Sequence, residues 1–195
     1  KNSEAGLKGR CDSFVVETDV HFPTDINLLL DAVRKVIELT TRLCIVHGIE
    51  GWRQSRHNLN KTKKLYRRAQ RLKASNSPDE AKKAKQQEII KAAYLAYLEV
   101  AQQFIERAQA SIALLEQKGC CEMLELLTIK GYIQHGQRQM YQIKRRVIQG
   151  EVIPHNEKVF SIFEEHTEWI RKGKAGVPQE LGLKVCVVED QHRFI

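Results

Sequence analysis

Apolar positions along the chain fall into two periods, and the order of those periods predicts the architecture. From Phe14 to Val20, β-branched and aromatic residues alternate with polar ones, a period of two that predicts a strand. Pro23-Thr24-Asp25 stops it and offers Thr24 or Asp25 as a helix N-cap. Ile26, Leu29, Leu30, Val33, Ile37 and Cys44 then recur at helical spacing, predicting an amphipathic helix to about Val46, broken by Gly48 and Gly51. A second helix is expected from about Trp52 to Ala74. In "SNSPDE", Ser77 reads as N-cap, Pro78 as the first helical residue and Glu80 as the closing member of a capping box. The helix that follows carries its apolar stripe on Ile90, Tyr94, Tyr97, Ala101, Phe104, Ala108, Ile112 and Leu115, to about Gln117. After the turn "KGCCE", a fourth helix runs from about Glu122 to Ile148 and ends at Gly150, with Gly131 and Gly136 inside it. Four helices with short connections predict an antiparallel bundle or a pair of long hairpins.

Beyond Gly150 the pattern changes. The stretch to about residue 181 is irregular, with "GKAGVP" as a loop and Trp169 as a core side chain. "LKVCVVED" is an apolar run of strand length, so Gly182 to Asp190 predicts a strand, "DQHR" a turn and Arg193 onward a returning strand. The fold class is therefore α+β and mostly helical. Residues 1–25 hold a first strand, residues 26–150 an α-helical insertion of about four helices, and residues 151–195 a connecting loop with further strands.

The formal net charge of +8 over 195 residues points to a polyanionic partner rather than an acidic substrate. Its densest source is the second helix. From Trp52 to Pro78 there is no acid, while Arg53, Arg56, Lys61, Lys63, Lys64, Arg67, Arg68, Arg71 and Lys73 all carry positive charge. Lys64, Arg67, Arg68 and Arg71 repeat at i, i+3, i+4, i+7, which places them on one helix face able to track phosphates. The competing reading is a solvated face paired with acids elsewhere; the lack of any local acid favours DNA backbone contact. Lys144, Arg145 and Arg146 form a smaller basic cluster, and Arg171, Lys172 and Lys174 another, in a glycine-containing loop.

Five cysteines show no C-x-x-C or Cys/His ligand spacing, which argues against a zinc site and for a reducing, cytoplasmic setting. No apolar run approaches the ~18 residues of a membrane span, and no signal peptide is visible. The chain begins at Lys1 and ends inside a strand-like run, so it reads as a fragment.

"DSFVVETDVHFPTDINLLLDAVR" near the start and "VIPHNEKVFSIFEEHTEWIRKGKAGVPQELGLKVCVVEDQHRFI" at the end, about a third of the chain between them, resemble bacterial insertion-sequence transposases of the ISNCY type. Phe14, Asp19 and Arg193 depart from that pattern, which has threonine, asparagine and a turn glycine there. The resemblance implies a DDE enzyme with an RNase H-like catalytic core, whose first strand carries the first catalytic aspartate and tolerates a helical insertion after it. It implies cleavage and joining of double-stranded DNA, at terminal inverted repeats and target sites, by two-metal-ion phosphoryl transfer. It further implies Mg2+ or Mn2+ held only in the complete active site, a homo-oligomeric active complex, and a bacterial, nucleoid-associated location. Asp12 is then the catalytic and metal-bridging carboxylate, with the second aspartate and the glutamate lying beyond Ile195. The basic residues of the second helix, with Lys172 and Lys174, are the DNA-binding candidates. From residue type alone, Asp12 is a solvated strand-end acid. Among its competitors, Asp25 reads as a helix cap, Glu17 and Asp19 as residues of the opposite strand face, and Glu189 and Asp190 as turn initiators. The alternative to an enzyme fragment is a non-catalytic basic helical module that binds nucleic acid or a protein.

Overall fold

A computed structural model describes residues 9–171, 176, 178–190 and 192. The fold is α+β, with four long helices and a small three-stranded antiparallel sheet. The chain divides into two compact units: Thr24–Lys158 forms one, and the residues up to Pro23 together with those from Val159 form the other.

In the first unit, α1 (Asp25–Val46), α2 (Ser55–Arg71), α3 (Glu80–Gln117) and α4 (Met123–Ile143) run alternately up and down. Side-chain pairings establish the directions. The start of α1 meets the residues just after α4 through Asp25–Arg146, and its end meets the start of α4 through Arg42–Glu125, so the two are antiparallel. Tyr97 donates to the Ile26 carbonyl at 3.2 Å and Cys44 bonds to Ser111, so α3 runs parallel to α1. Gln86 to the Lys73 carbonyl, Tyr66 against Tyr97, and Trp52 to Ser111 make α2 antiparallel to α3.

α1 is the central element. Ile26, Leu28, Leu29, Ala32, Val33, Val36, Ile37, Leu43 and Cys44 are all buried, which is wider than a single stripe, because α2, α3 and α4 all pack on it. The stripe expected on α3 is buried at Ile90, Tyr97, Ala101, Phe104, Ala108, Ile112 and Leu115, with Tyr94 half-buried. Gly136 has a packing role: a Cβ there would lie 2.8 Å from Ile105 Cδ1 and 3.7 Å from Ala32 Cβ. Its bare backbone lets α4 approach α1 and α3 closely.

Several boundaries differ from the sequence expectation. Thr24 caps α1, its Oγ1 accepting from Asn27 N at 3.3 Å. α2 begins at Ser55, not Trp52; Trp52 lies in the connection, fully buried, its Nε1 donating to Ser111 Oγ at 2.9 Å. Gly48 and Gly51, at φ of 64° and 105°, let the chain turn there. α3 is capped by Asp79 rather than Ser77, because its carboxylate reaches Ala81 N and Lys82 N. Ser77 Oγ instead accepts from Asp79 N in the preceding turn, leaving Pro78 outside the helix. α4 does not stay α-helical to Ile148: residues Lys144–Ile148 form a π turn, with Val147 buried.

In the second unit, β1 (Gly9–Glu17) pairs antiparallel with β3 (Glu180–Asp190), and β2 (Glu168–Ile170) pairs with the other edge of β3, giving the order β1-β3-β2. β1 thus starts and ends earlier than Phe14–Val20, since its register is set by β3 from Gly9↔Asp190 to Glu17↔Gly182. β2 falls in the stretch expected to be irregular. Trp169 is half-buried rather than core, stacked edge-on by Phe22 at 5.4 Å and flanked by Phe160 at 5.8 Å. The strand expected from Arg193 lies outside the described residues. Gly182 faces both neighbouring strands, and a Cβ there would sit 2.1 Å from the Val16 carbonyl oxygen.

Two substitutions test this packing. Gly182→Ala should push β1 off β3 and cost about 2–3 kcal/mol in a denaturant melt; a loss under about 0.5 kcal/mol would show that the strands are not this close. Arg146→Ala should cost about 1–2 kcal/mol, because the ion pair is bidentate but its arginine is 43% exposed.

Candidate functional site

Asp12 is the fourth residue of β1, opposite Val187, and is exposed. It sits inside the paired strand rather than at its head. Its Oδ1 accepts from Ser13 N at 2.8 Å, which fixes the carboxylate against its own backbone. By register it shares a sheet face with Phe14, Val16, Leu183, Val185 and Val187, and Phe14, Val16 and Leu183 are exposed on that face.

The neighbouring acids have other engagements. Glu17 ends β1 on the opposite face, and Asp19 follows the strand. Glu189 pairs with Arg10 at 2.7 Å, and Asp190 accepts from His192 N at 2.8 Å, as a turn-initiating acid does. Asp25 is the first residue of α1; it accepts from its neighbour Ile26 N at 2.8 Å and binds Arg146 through both oxygens at 2.7 and 3.0 Å. A pair of magnesium ions needs several hard oxygen donors around it. By register Glu189 is the other acid on the Asp12 face, and its carboxylate is taken by Arg10, so among the described residues this part of the sheet does not make up a two-metal centre.

The cationic face of α2 is more completely defined. Thr62 and Ala69 are its buried residues, with Leu59, Leu65, Tyr66 and Leu72 packed against the core beside them. That leaves Arg56, Lys63, Lys64, Arg67, Arg68 and Arg71 on the opposite side, all exposed. Arg53 reaches only Glu50, at 3.8 Å, with both side chains almost fully exposed. Among the described residues Arg56, Lys61, Lys63, Lys64, Arg67, Arg68, Arg71 and Lys73 form no ion pair. Asn60, Lys63, Lys64, Arg67, Arg68, Arg71 and Leu72 line an open groove of about 710 Å³. Cations spaced one helical turn apart, without intramolecular partners, can track a row of phosphates.

The second basic cluster behaves differently. Arg145 binds Glu151 at 2.7 Å and also Glu157, and the hydrogen bonds it donates to these two carboxylates hold its pKa above the usual arginine value. Burial opposes the charge on Arg146, yet its bonds to Asp25 and Tyr94 leave its pKa raised as well. Both arginines therefore serve the fold. Arg171 is exposed; Lys172 and Lys174 lie outside the described residues.

Two cysteine arrangements escaped the spacing test because their members are distant in sequence. Cys11 and Cys186, 175 residues apart, form a disulfide across β1 and β3 on the face opposite Asp12. This pairing departs from the expectation of cysteines that all stay reduced. His47, Cys120 and Glu122 meet at one end of the helical unit, their donor atoms all within 4.8 Å of one another. The vicinal pair Cys120-Cys121 in a turn was the only sequence signal of it.

No helix among the described residues is long and apolar enough to cross a membrane. No family model matches the chain, and neither a curated protein nor a solved structure matches it.

A phosphate-tracking role for α2 predicts a measurable salt response. Changing Lys64, Arg67, Arg68 and Arg71 together to glutamine should weaken duplex DNA binding and reduce the slope of log K against log salt by up to about 4, near 0.9 per lost phosphate contact. An unchanged slope would mean the face is only solvated.

Proposed function

We propose that the chain is part of a DDE transposase with an RNase H-like core, in which Asp12 is the first catalytic carboxylate and the helical unit grips DNA through α2. The observation that carries this reading is the antiparallel pairing of β1 with β3 across the helical insertion, with Asp12 held in register on β1. An RNase H-like core begins with such a pair, and the outer edge of β1 is open among the described residues for a further strand. The resemblance of both chain ends to ISNCY-type transposases supplies the reaction class.

The physical demand on Asp12 is that of phosphoryl transfer to and from DNA. A nucleophilic water or 3′-hydroxyl must be aligned with phosphorus, and the leaving oxygen's charge must be neutralised. When bound, magnesium ions supply that charge, and a strand carboxylate is a rigid oxygen donor for them. Pairing with β3 fixes the Asp12 backbone along one edge, and Ser13 N orients the carboxylate. α2 would hold the duplex by its backbone without reading sequence.

One observation favours a second reading. The cationic face of α2 is complete in itself, so a non-catalytic module that binds nucleic acid needs nothing from Asp12. The two readings separate in a chain that carries all three acids. Asp12→Asn keeps the shape and removes the charge, so magnesium-dependent cleavage of the element ends should fall by at least about 100-fold while the melting curve is retained. Cleavage at the wild-type rate would remove Asp12 from the mechanism, and loss of DNA binding in the α2 variants alone would then leave the binding module.

A further inference from the structure

We propose that His47, Cys120 and Glu122 form a zinc site that ties the end of α1 to the turn between α3 and α4. The three residues come from two places in the chain, 75 residues apart at their widest. His47 Nε2 lies 3.1 Å from Glu122 Oε2, and Cys120 Sγ lies 3.0 Å from the same oxygen. Donors around a tetrahedral zinc ion, at bond lengths of about 2.0–2.3 Å, stand about 3.3–3.6 Å apart. The two edges that meet at Glu122 therefore need to open by only a few tenths of an ångström, and the third, from His47 Nε2 to Cys120 Sγ, is within 4.8 Å.

Each donor sits on a backbone already fixed by a helix end. His47 is the C-cap of α1, its N–H bonded to the Leu43 carbonyl at 3.0 Å and its own carbonyl accepting from Lys118 Nζ at 3.1 Å. Cys120 N donates to the Leu115 carbonyl at 3.0 Å, which closes α3. Glu122 is the N-cap residue of α4, its carbonyl accepting from Leu126 N at 3.1 Å. Preorganised donors of this kind lose little entropy when a metal arrives.

The donor set decides the metal. One thiolate, one imidazole and one carboxylate suit zinc and exclude magnesium, which keeps to hard oxygens. Thiolate and carboxylate together balance the two positive charges of the ion. On binding, the Cys120 thiol gives its proton to solvent, the sulfur–metal bond forms, and His47 stays neutral with Nε2 as donor. Three protein donors leave a fourth position for water. Without metal, the Cys120 thiol donates a hydrogen bond to Glu122.

The test is a cobalt titration of the purified chain in a metal-free reducing buffer, followed by displacement with zinc. Wild type and Cys121→Ser should take up one cobalt per chain with a thiolate-to-cobalt charge-transfer band and tetrahedral d–d absorption. Zinc should abolish both bands and raise the melting temperature. Cys120→Ser should lose the charge-transfer band, and His47→Gln and Glu122→Gln should bind about 10- to 100-fold more weakly. A wild-type chain that takes up no cobalt at about 100 µM, well above zinc-site affinities, overturns the site whatever the variants do. Retention of the band in Cys120→Ser, or its loss in Cys121→Ser, overturns it equally.

Discussion

The Asp25–Arg146 ion pair closes the helical unit where the chain enters and leaves it, and the packing of four helices is what brings those two points together. These residues are 121 apart in sequence, so joining them in an unfolded chain costs roughly 4 kcal/mol of loop entropy. A partly exposed bidentate pair contributes about 1–2 kcal/mol, which is not enough. The core has to supply the rest, and it does so by wrapping α2, α3 and α4 around α1. The ion pair then selects the register in which the bundle closes, with Arg145 reaching on to Glu157 beside it.

That division of labour explains which cations serve the fold and which face solvent. Arg145 and Arg146 are drawn into carboxylates by the geometry of the π turn. α2 has no acid of its own, and the elements it packs against offer its outer face none within reach, so its charge stays outward. Mutual repulsion along that face is a standing cost to α2, and a polyanion would relieve it. Net charge alone could not separate these two sets of arginines; their partners in space do.

Much of the fold was legible because long helices repeat one signal many times. The stripe from Ile90 to Leu115 returns every turn, and almost every member of it is buried. Short-range features were less legible. Ser77 and Asp79 both make reasonable caps, and only the reach of the Asp79 carboxylate to two amides decides between them. β2 has three residues, too few to show a period, and is held by its pairing with β3, with Trp169 packed between Phe22 and Phe160. The extent of β1 was invisible because β3, far along the chain, sets it. At the candidate sites, the spacing on α2 was readable since a helix turns it directly into a face. The His47–Cys120–Glu122 group was not, because it is assembled by helix packing rather than by spacing. Asp12 rests on the resemblance: the structure adds its strand, its register and its Ser13 bond.

The most direct measurement is an amide chemical-shift map of the chain titrated with a short duplex at low salt. The account predicts shifts concentrated on residues 56–71, reversed by raising the salt, with α4 residues 123–143 unmoved. Shifts centred on α4 with α2 silent would contradict it.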